Sequence, residues 1–428
     1  MVVTDSRIGA KLAEVAGADA VITGAATSRW SVRGTVPAAV VQPTSPDAVA
    51  AVLALASAEG WRVEPAGAGT CLDWGRPPER VDVVLSTAAL SDVHSHEPGD
   101  LVVGVGAGAA LDAVRSRLAT ARQWLPWDPP AANGATIGAI ISHAAAGPLR
   151  FGYGTPRDHV LGLTFATGDG RLLSVGGRVV KNVAGYDIGK LIVGSRGTLA
   201  IVVSAYLRLR ALPERDVTVV CCTPEISAAT ELAWALTNAE IPAVALELLS
   251  PALATASGLR DGWTVLARYH GSGEATQAAV DAARVLAAGG RVAFEESTGN
   301  AMWSRLSALE AGAPLVVRCA NRPNRLEGTL AIAETVAAAL ATDRIMIAAH
   351  AGDGIVRIMG DGTNPGAAGA VLAVRDRLTG EGGTVSVARA PAGMAVEPFG
   401  DTGVAGQLMR RLKEVFDPAG VLAPGRFA

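Results

Sequence analysis

Residues 65–72 carry the chain's most suggestive chemistry, an anion site made of main chain alone. The run Val63-Glu64-Pro65-Ala66-Gly67-Ala68-Gly69-Thr70-Cys71-Leu72 leads an extended stretch into a turn of small side chains. Such a turn brings successive N–H groups into one concavity, which suits a pyrophosphate. A glycine turn after a strand is by itself an ordinary turn, so the rest of a nucleotide site has to come from other segments. Small residues recur in Ala135-Thr136-Ile137-Gly138-Ala139-Ile140-Ile141-Ser142 and in Ala144-Ala145-Ala146-Gly147, where the backbone can lie flush against a large planar ligand. Two polar runs follow, Tyr153-Gly154-Thr155-Pro156-Arg157-Asp158-His159-Val160 and Lys181-Asn182-Val183-Ala184-Gly185-Tyr186-Asp187. His94 and His96 have a spacing that could hold a metal, but no acidic or imidazole partner is evident, and they read as solvated histidines of a turn.

Regular elements have to present these segments. Residues 38–41 read as a strand, and Ser45 is the expected N-cap of a helix over 47–59, with Pro46 at its first position, Asp47 facing the dipole and Gly60 at its end. The next strand delivers the glycine loop, so the order is strand, helix, strand, phosphate loop. Further strands are expected over 81–85, 101–105 and 163–167, the last turning at Gly168-Asp169-Gly170, with a short helix over 111–121. Residues 191–209 close this half with a buried strand. Leu212-Pro213-Glu214 marks a boundary, beyond which strands alternate with Ala-rich helices as in an α+β domain with antiparallel sheet. The expected division is a leader over 1–35, a cofactor-binding domain over 36–213 and a second domain over 214–428.

Composition narrows the function classes. The chain has 428 residues, half of them apolar, and a net charge of −3. No basic field favours nucleic acid or an anionic membrane. The cysteines, Cys71, Cys221, Cys222 and Cys319, contain no Cys-x-x-Cys and no disulfide framework, which fits a reducing cytoplasm. No apolar run reaches the roughly 18 residues of a membrane span, so any membrane contact is expected through partner subunits.

Taken together, Pro65 to Thr70, Ala135 to Gly138, Tyr153 to Asp158, Lys181 to Asp187 and Gly194-Ser195-Arg196-Gly197-Thr198-Leu199 resemble the FAD-binding domain of the vanillyl-alcohol-oxidase and p-cresol-methylhydroxylase family. Within it the likeness is to the E-type subunit of glycolate oxidase (glycolate dehydrogenase). The resemblance implies an α+β fold: a two-part FAD-binding domain, then an α+β cap domain with antiparallel sheet whose C-terminal tail returns to the FAD domain. By position, Pro65, Ala66, Gly67, Ala68, Gly69, Thr70, Cys71 and Leu72 would cradle the pyrophosphate. Pro129, Thr136, Ile137, Gly138, Ser142, His143 and Gly147 would run along the ribityl chain and the isoalloxazine. Tyr153, Gly154, Thr155, Arg157, Asp158 and Val160 would line the flavin, and Gly197, Ile201 and Val203 would meet the adenine end. Thr70 stands where covalently flavinylated members carry a His, so FAD is expected to be held non-covalently. Lys181 is expected nearest the flavin N5.

The same resemblance bears on His350-Ala351-Gly352-Asp353-Gly354-Ile355-Val356-Arg357. Catalytic flavin dehydrogenases of D-2-hydroxy acids carry His at both ends of this motif, and a later Glu-His pair completes a divalent-metal site. Here those places are Arg357, Ala388 and Arg389, so no metal is expected, since a permanently charged guanidinium repels a dication. The implied function is an FAD-binding subunit that relays electrons or supports assembly. Its partners would be a metal-containing catalytic flavoprotein subunit and an iron–sulfur subunit. One alternative is a self-sufficient dehydrogenase whose Arg318 and Arg357, with Arg305 and Arg389, hold the substrate carboxylate. Another is a structural subunit without flavin.

Overall fold

The computed structural model describes residues 2–130, 134–178, 187–288, 293–340, 345–391, 393–400 and 402–426. It divides into two units, the first made of Met1–Ala146, Thr155–Leu212 and Asp401–Ala428, the second of Gly147–Gly154 and Pro213–Gly400. The helix Val2–Ala16 belongs to the first unit and puts Ile8 and Leu12 into its core.

Local rules set the first strand–helix–strand turn. Ser45 accepts a hydrogen bond from the Ala48 N–H at 3.2 Å, Pro46 opens the helix Pro46–Glu59, and Gly60 closes it at φ 68°. This agrees with the cap chemistry read from the residues. Val49, Val52, Leu53 and Ala56 of that helix are buried against Ala39, Val41, Val63, Val83 and Leu85. Their four-stranded sheet runs in the order Val21–Thr23, Ala39–Val41, Val83–Ser86, Val63–Ala66, with its last three strands parallel. The glycine loop leaves the edge strand of this sheet.

The other half of the first unit is a five-stranded antiparallel sheet in the order Val93–Glu97, Val102–Gly106, Ala200–Arg208, Val160–Thr167, Leu172–Gly176. Its central strand, Ala200–Arg208, opens with four apolar residues, 200–203, that are buried on both faces. Ile201 and Val203 pack into the core of the parallel sheet, while Ala200 and Val202 pack with Val103, Val105, Ile137 and Ile141. His94 and His96 lie on the edge strand Val93–Glu97 rather than in a turn. His96 Nε2 is 2.9 Å from Gln123 Oε1, and His94 stands edge-on to Tyr206. An edge strand half open to solvent carries little apolar alternation, which is why those residues resemble a turn.

The second unit is an eight-stranded, wholly antiparallel sheet, from Ala293–Thr298 at one edge to Thr384–Arg389 at the other. One face packs under the helices Ile226–Thr237, Gly273–Ala287, Leu326–Leu340 and Ala367–Gly380 through Val219, Leu248, Ala267, Val317 and Ile358. The two-residue period of a strand then places Glu247, Arg268, Arg318 and Arg357 on the opposite face. The helix Ala301–Gly312 meets that face, with Trp303 Nε1 donating to Thr218 Oγ1 at 2.9 Å and Glu310 paired with Arg357.

After the second unit the chain returns to the first as the helix Gly403–Phe416 and a buried turn. Asp417, 2% exposed, accepts the N–H groups of Val421 and Leu422 at 2.8 Å and pairs with Lys413. Lys413 also donates to the carbonyls of Thr198 at 2.7 Å and Leu422 at 2.6 Å. Replacing Asp417 by Ala leaves a mostly buried ammonium without its counter-charge and two buried N–H groups without acceptors. A loss of about 3–5 kcal/mol is expected from urea unfolding.

Candidate cofactor site

A cleft opens in the first unit. One wall is the loop Pro65, Ala66, Gly67, Gly69, Thr70, Cys71 and Leu72, and another is Gly138, Ala139, Ser142 and His143. A third is Arg196, Gly197, Ala200, Ile201 and Val202, and Glu64, Thr87 and Arg426 complete the lining. The loop sits where it does because residue 67 has no side chain. A Cβ on Gly67 would come within 2.1 Å of Thr136 Oγ1, the atom that caps the helix Ile137–His143 by accepting the Ala139 N–H. Among the described residues no protein acceptor takes the N–H groups of Gly67, Ala68, Gly69 or Thr70. Consecutive amides without partners beside a cleft are donors for an external anion.

Side-chain charge adds to this. The turn at Arg196, φ 55°, is tied to the helix Ile137–His143 by the Arg196 N–H on the Ser142 carbonyl at 2.6 Å and the Gly194 N–H on the Ile141 carbonyl at 3.0 Å. Burial pulls the Arg196 guanidinium down to about 10, so it stays cationic at neutral pH. Burial, helped by Arg196 and Arg426, pushes His143 down to about 3, so its ring is neutral. Its Nδ1 is buried without a hydrogen-bond partner, and the ring stands edge-on to Trp74 with centroids 5.1 Å apart. The cleft therefore offers unpaired amides, the guanidinium of Arg196 and one neutral imidazole. That donor set fits a diphosphate joined to aromatic rings.

Of the residues singled out from the sequence, Pro65, Ala66, Gly67, Gly69, Thr70, Cys71, Leu72, Gly138, Ser142, His143, Gly197 and Ile201 meet at this cleft. Thr136 and Ile137 stand behind it, as the cap and a buried core residue. Val203 faces the core of the parallel sheet. Ala68, Pro129, Arg157 and Val160 are not among its lining residues, and Thr155 and Asp158 form a capping box. Gly147, Tyr153 and Gly154 belong to the second unit, where the Tyr153 hydroxyl is 2.9 Å from His270 Nδ1. Lys181 lies outside the described residues. Glu64, Thr87, Ala139, Arg196, Ala200, Val202 and Arg426 join the site without having been singled out. Glu64, Ala139 and Arg196 had a signal, their places inside the quoted runs 63–72, 135–142 and 194–199, whereas Thr87 had none.

In the second unit the Arg357 guanidinium bridges Glu247 and Glu310, and His350 Nδ1 also meets Glu247. Arg318 faces Arg357 from the neighbouring strand. Arg389 donates to the carbonyls of Ala311 at 2.6 Å and Ala313 at 3.0 Å, capping the end of the helix Ala301–Gly312. Arg357 and Arg389, both considered for a carboxylate, are therefore engaged within the fold. Burial pushes Glu247 upward against the pull of Arg357, and burial drives His350 down. Among the described residues no three His, Cys, Asp or Glu side chains are grouped to share a metal ion. No helix among them is long and apolar enough to cross a membrane.

Family comparisons decide which ligand this cleft takes. The family described as FAD linked oxidases, C-terminal domain, matches residues 212–427, half of the chain. The chain belongs to the FAD-linked oxidases. The family described as FAD binding domain matches residues 37–176, which include the loop, and FAD is the cofactor. The chain is 37% identical over 182 residues to a D-lactate dehydrogenase of Archaeoglobus fulgidus, covering 42% of this chain and 40% of that protein. It is 32% identical over 214 residues to glycolate oxidase subunit GlcD of Bacillus subtilis (50% and 45% covered). To glycolate oxidase subunit GlcE of Escherichia coli it is 38% identical over 120 residues (28% and 34% covered). These matches span less than half the length of each relative. In fold it is similar to p-cresol methylhydroxylase, with TM-score 0.78 at 14% identity over 99% of this chain and 96% of that one.

Two outcomes follow from the site. Gly69 has φ 88°, so Gly69→Asp strains the turn and sets a carboxylate among the unpaired amides. The purified variant should lack the visible absorption of flavin, and full flavin occupancy would remove the loop from the site. Burial pushes the Glu64 carboxyl up to about 7 despite Arg426, from an ordinary 4.5. The folded state therefore holds the proton longer than the unfolded chain, and stability falls as pH rises through that window. With Glu64→Gln the urea midpoint should vary less between pH 4.5 and about 7 than in the wild type.

Proposed function

We propose that this chain is the FAD-binding subunit of a 2-hydroxy-acid dehydrogenase complex of the glycolate oxidase kind. In it the chain holds FAD non-covalently and relays electrons or supports assembly, and has no metal-dependent substrate site of its own. The observation that carries the proposal is the engagement of Arg357 by Glu247 and Glu310 in the second unit of a chain whose first unit keeps an open cofactor cleft. FAD bound in that cleft supplies a two-electron acceptor. The amides of residues 67–70 would bind its phosphates, Arg196 would balance their charge, and the neutral His143 would offer Nδ1 as a hydrogen-bonding atom without adding charge. A cation held between two carboxylates answers their repulsion in the way a bound metal ion would, and leaves no coordination site for a substrate hydroxyl. Similarity to both GlcD and GlcE supports a complex with a metal-containing catalytic flavoprotein subunit and an iron–sulfur subunit. Lys181 remains the residue proposed beside the flavin N5.

A self-sufficient dehydrogenase is favoured by the similarity to D-lactate dehydrogenase. It would require Arg318 and Arg357 to bind substrate while Arg357 already holds two carboxylates. Anaerobic mixing of the purified, FAD-loaded chain with glycolate or D-lactate separates the two. The flavin absorbance should persist over minutes with the chain alone and should bleach when the chain is purified together with its native partners. Rapid bleaching of the chain alone would establish the self-sufficient enzyme instead. A colourless protein that takes up no added FAD would establish a structural subunit.

A further inference from the structure

We propose that Arg426 is the positioning residue that holds the phosphate loop in its FAD-binding form, so that cofactor affinity is set by a side chain 362 residues from the loop's first acidic neighbour. The proposal deepens the FAD reading and rests on it. Arg426 is 1% exposed and lines the cleft. Its three guanidinium nitrogens fan out to both ends of the loop. Nε donates to Glu64 Oε1 at 3.2 Å, before the loop, while Nη2 donates to the Leu72 carbonyl at 3.0 Å and Nη1 to the Arg76 carbonyl at 2.8 Å, beyond it. The Arg76 N–H returns a bond to the Arg426 carbonyl at 3.1 Å. The turn between these anchors is the one whose amides have no protein acceptor. Its amides take no part in holding its shape, which rests on these anchors at its two ends, on the Ser86 hydroxyl that donates to the Gly67 carbonyl at 2.8 Å, and on the close approach of Gly67 to Thr136.

The segment carrying Arg426 is anchored without it. The Val63 N–H donates to the Val421 carbonyl and the Ala423 N–H to the Val63 carbonyl, both at 2.8 Å. The Arg62 guanidinium donates to the Gly420 carbonyl at 2.6 Å, and Asp417 and Lys413 hold the turn before it. Removing the Arg426 side chain thus frees the loop while the tail stays docked. Lysine is no equal substitute, because its three N–H groups radiate from one nitrogen, whereas these acceptors are met by three separate nitrogens of a planar guanidinium.

The test compares Arg426→Met, Arg426→Lys and a control, Arg62→Met, which loosens the tail but does not touch the loop. FAD dissociation constants are measured by titrating the apoproteins, and melting temperatures are measured with and without saturating FAD. Both Arg426 variants should bind FAD at least tenfold more weakly, and the rise in melting temperature on adding FAD should shrink. Arg62→Met should lower the apoprotein melting temperature and keep the wild-type dissociation constant. Arg426→Lys should recover apoprotein stability relative to Arg426→Met without recovering affinity. Wild-type affinity in either Arg426 variant, or equal weakening in Arg62→Met, would overturn the proposal. If Arg426→Met does not fold, Arg426→Lys decides alone. Failure of the wild-type apoprotein to bind FAD would instead remove the cofactor assignment, and this inference with it.

Discussion

The first unit depends on one close approach. The loop after Val63–Ala66 lies against the cap of the helix Ile137–His143 with no room for a methyl group between Gly67 and Thr136. The amides of residues 67–70 have no protein acceptor among the described residues and are left for a ligand. Thr136 thereby serves two purposes. Its hydroxyl stops the helix from fraying at the Ala139 N–H and fixes the height at which the loop rests. The turn around Arg196 hangs from the other end of the same helix, so a helix of seven residues sets the distance between two walls of the cleft.

The second unit solves a different electrostatic problem. Glu247 is 1% exposed on a central strand, where an unpaired carboxylate would be very costly. Arg357 meets it from one side and also takes Glu310, while His350 sits on its other oxygen. The guanidinium fork suits two carboxylates at once, which an ammonium could match only as a point charge. The group that answers these carboxylates is permanently charged and covalently part of the chain.

Range in sequence decides how much was legible beforehand. Ser45, Pro46 and Gly60 act on backbone within four residues, and their roles followed from residue type. The glycine loop and the antiparallel character of the second half were equally readable, because turn chemistry and strand period are local. The pairing of Glu64 with Arg426 spans 362 residues, and that of Glu247 with Arg357 spans 110. Such contacts exist only once the sheets have formed, so no pattern in either neighbourhood announces them. Arg196 was visible inside a glycine-rich run, yet its left-handed backbone, which accompanies its place in the cleft wall, has no signature in residue type. The opposite error occurred at His94 and His96, where a polar edge strand looked like a turn.

The second unit is spliced into the first between residues 212 and 401. A ribosome therefore finishes the glycine loop early and then makes nearly the whole of another folding body before the tail that borders the cleft emerges. Until Leu422 has paired with Val63 and Arg426 has reached Glu64, the nascent chain has only part of its cofactor cleft. A cleft with all of its lining residues thus exists only once residue 426 has been added to the chain.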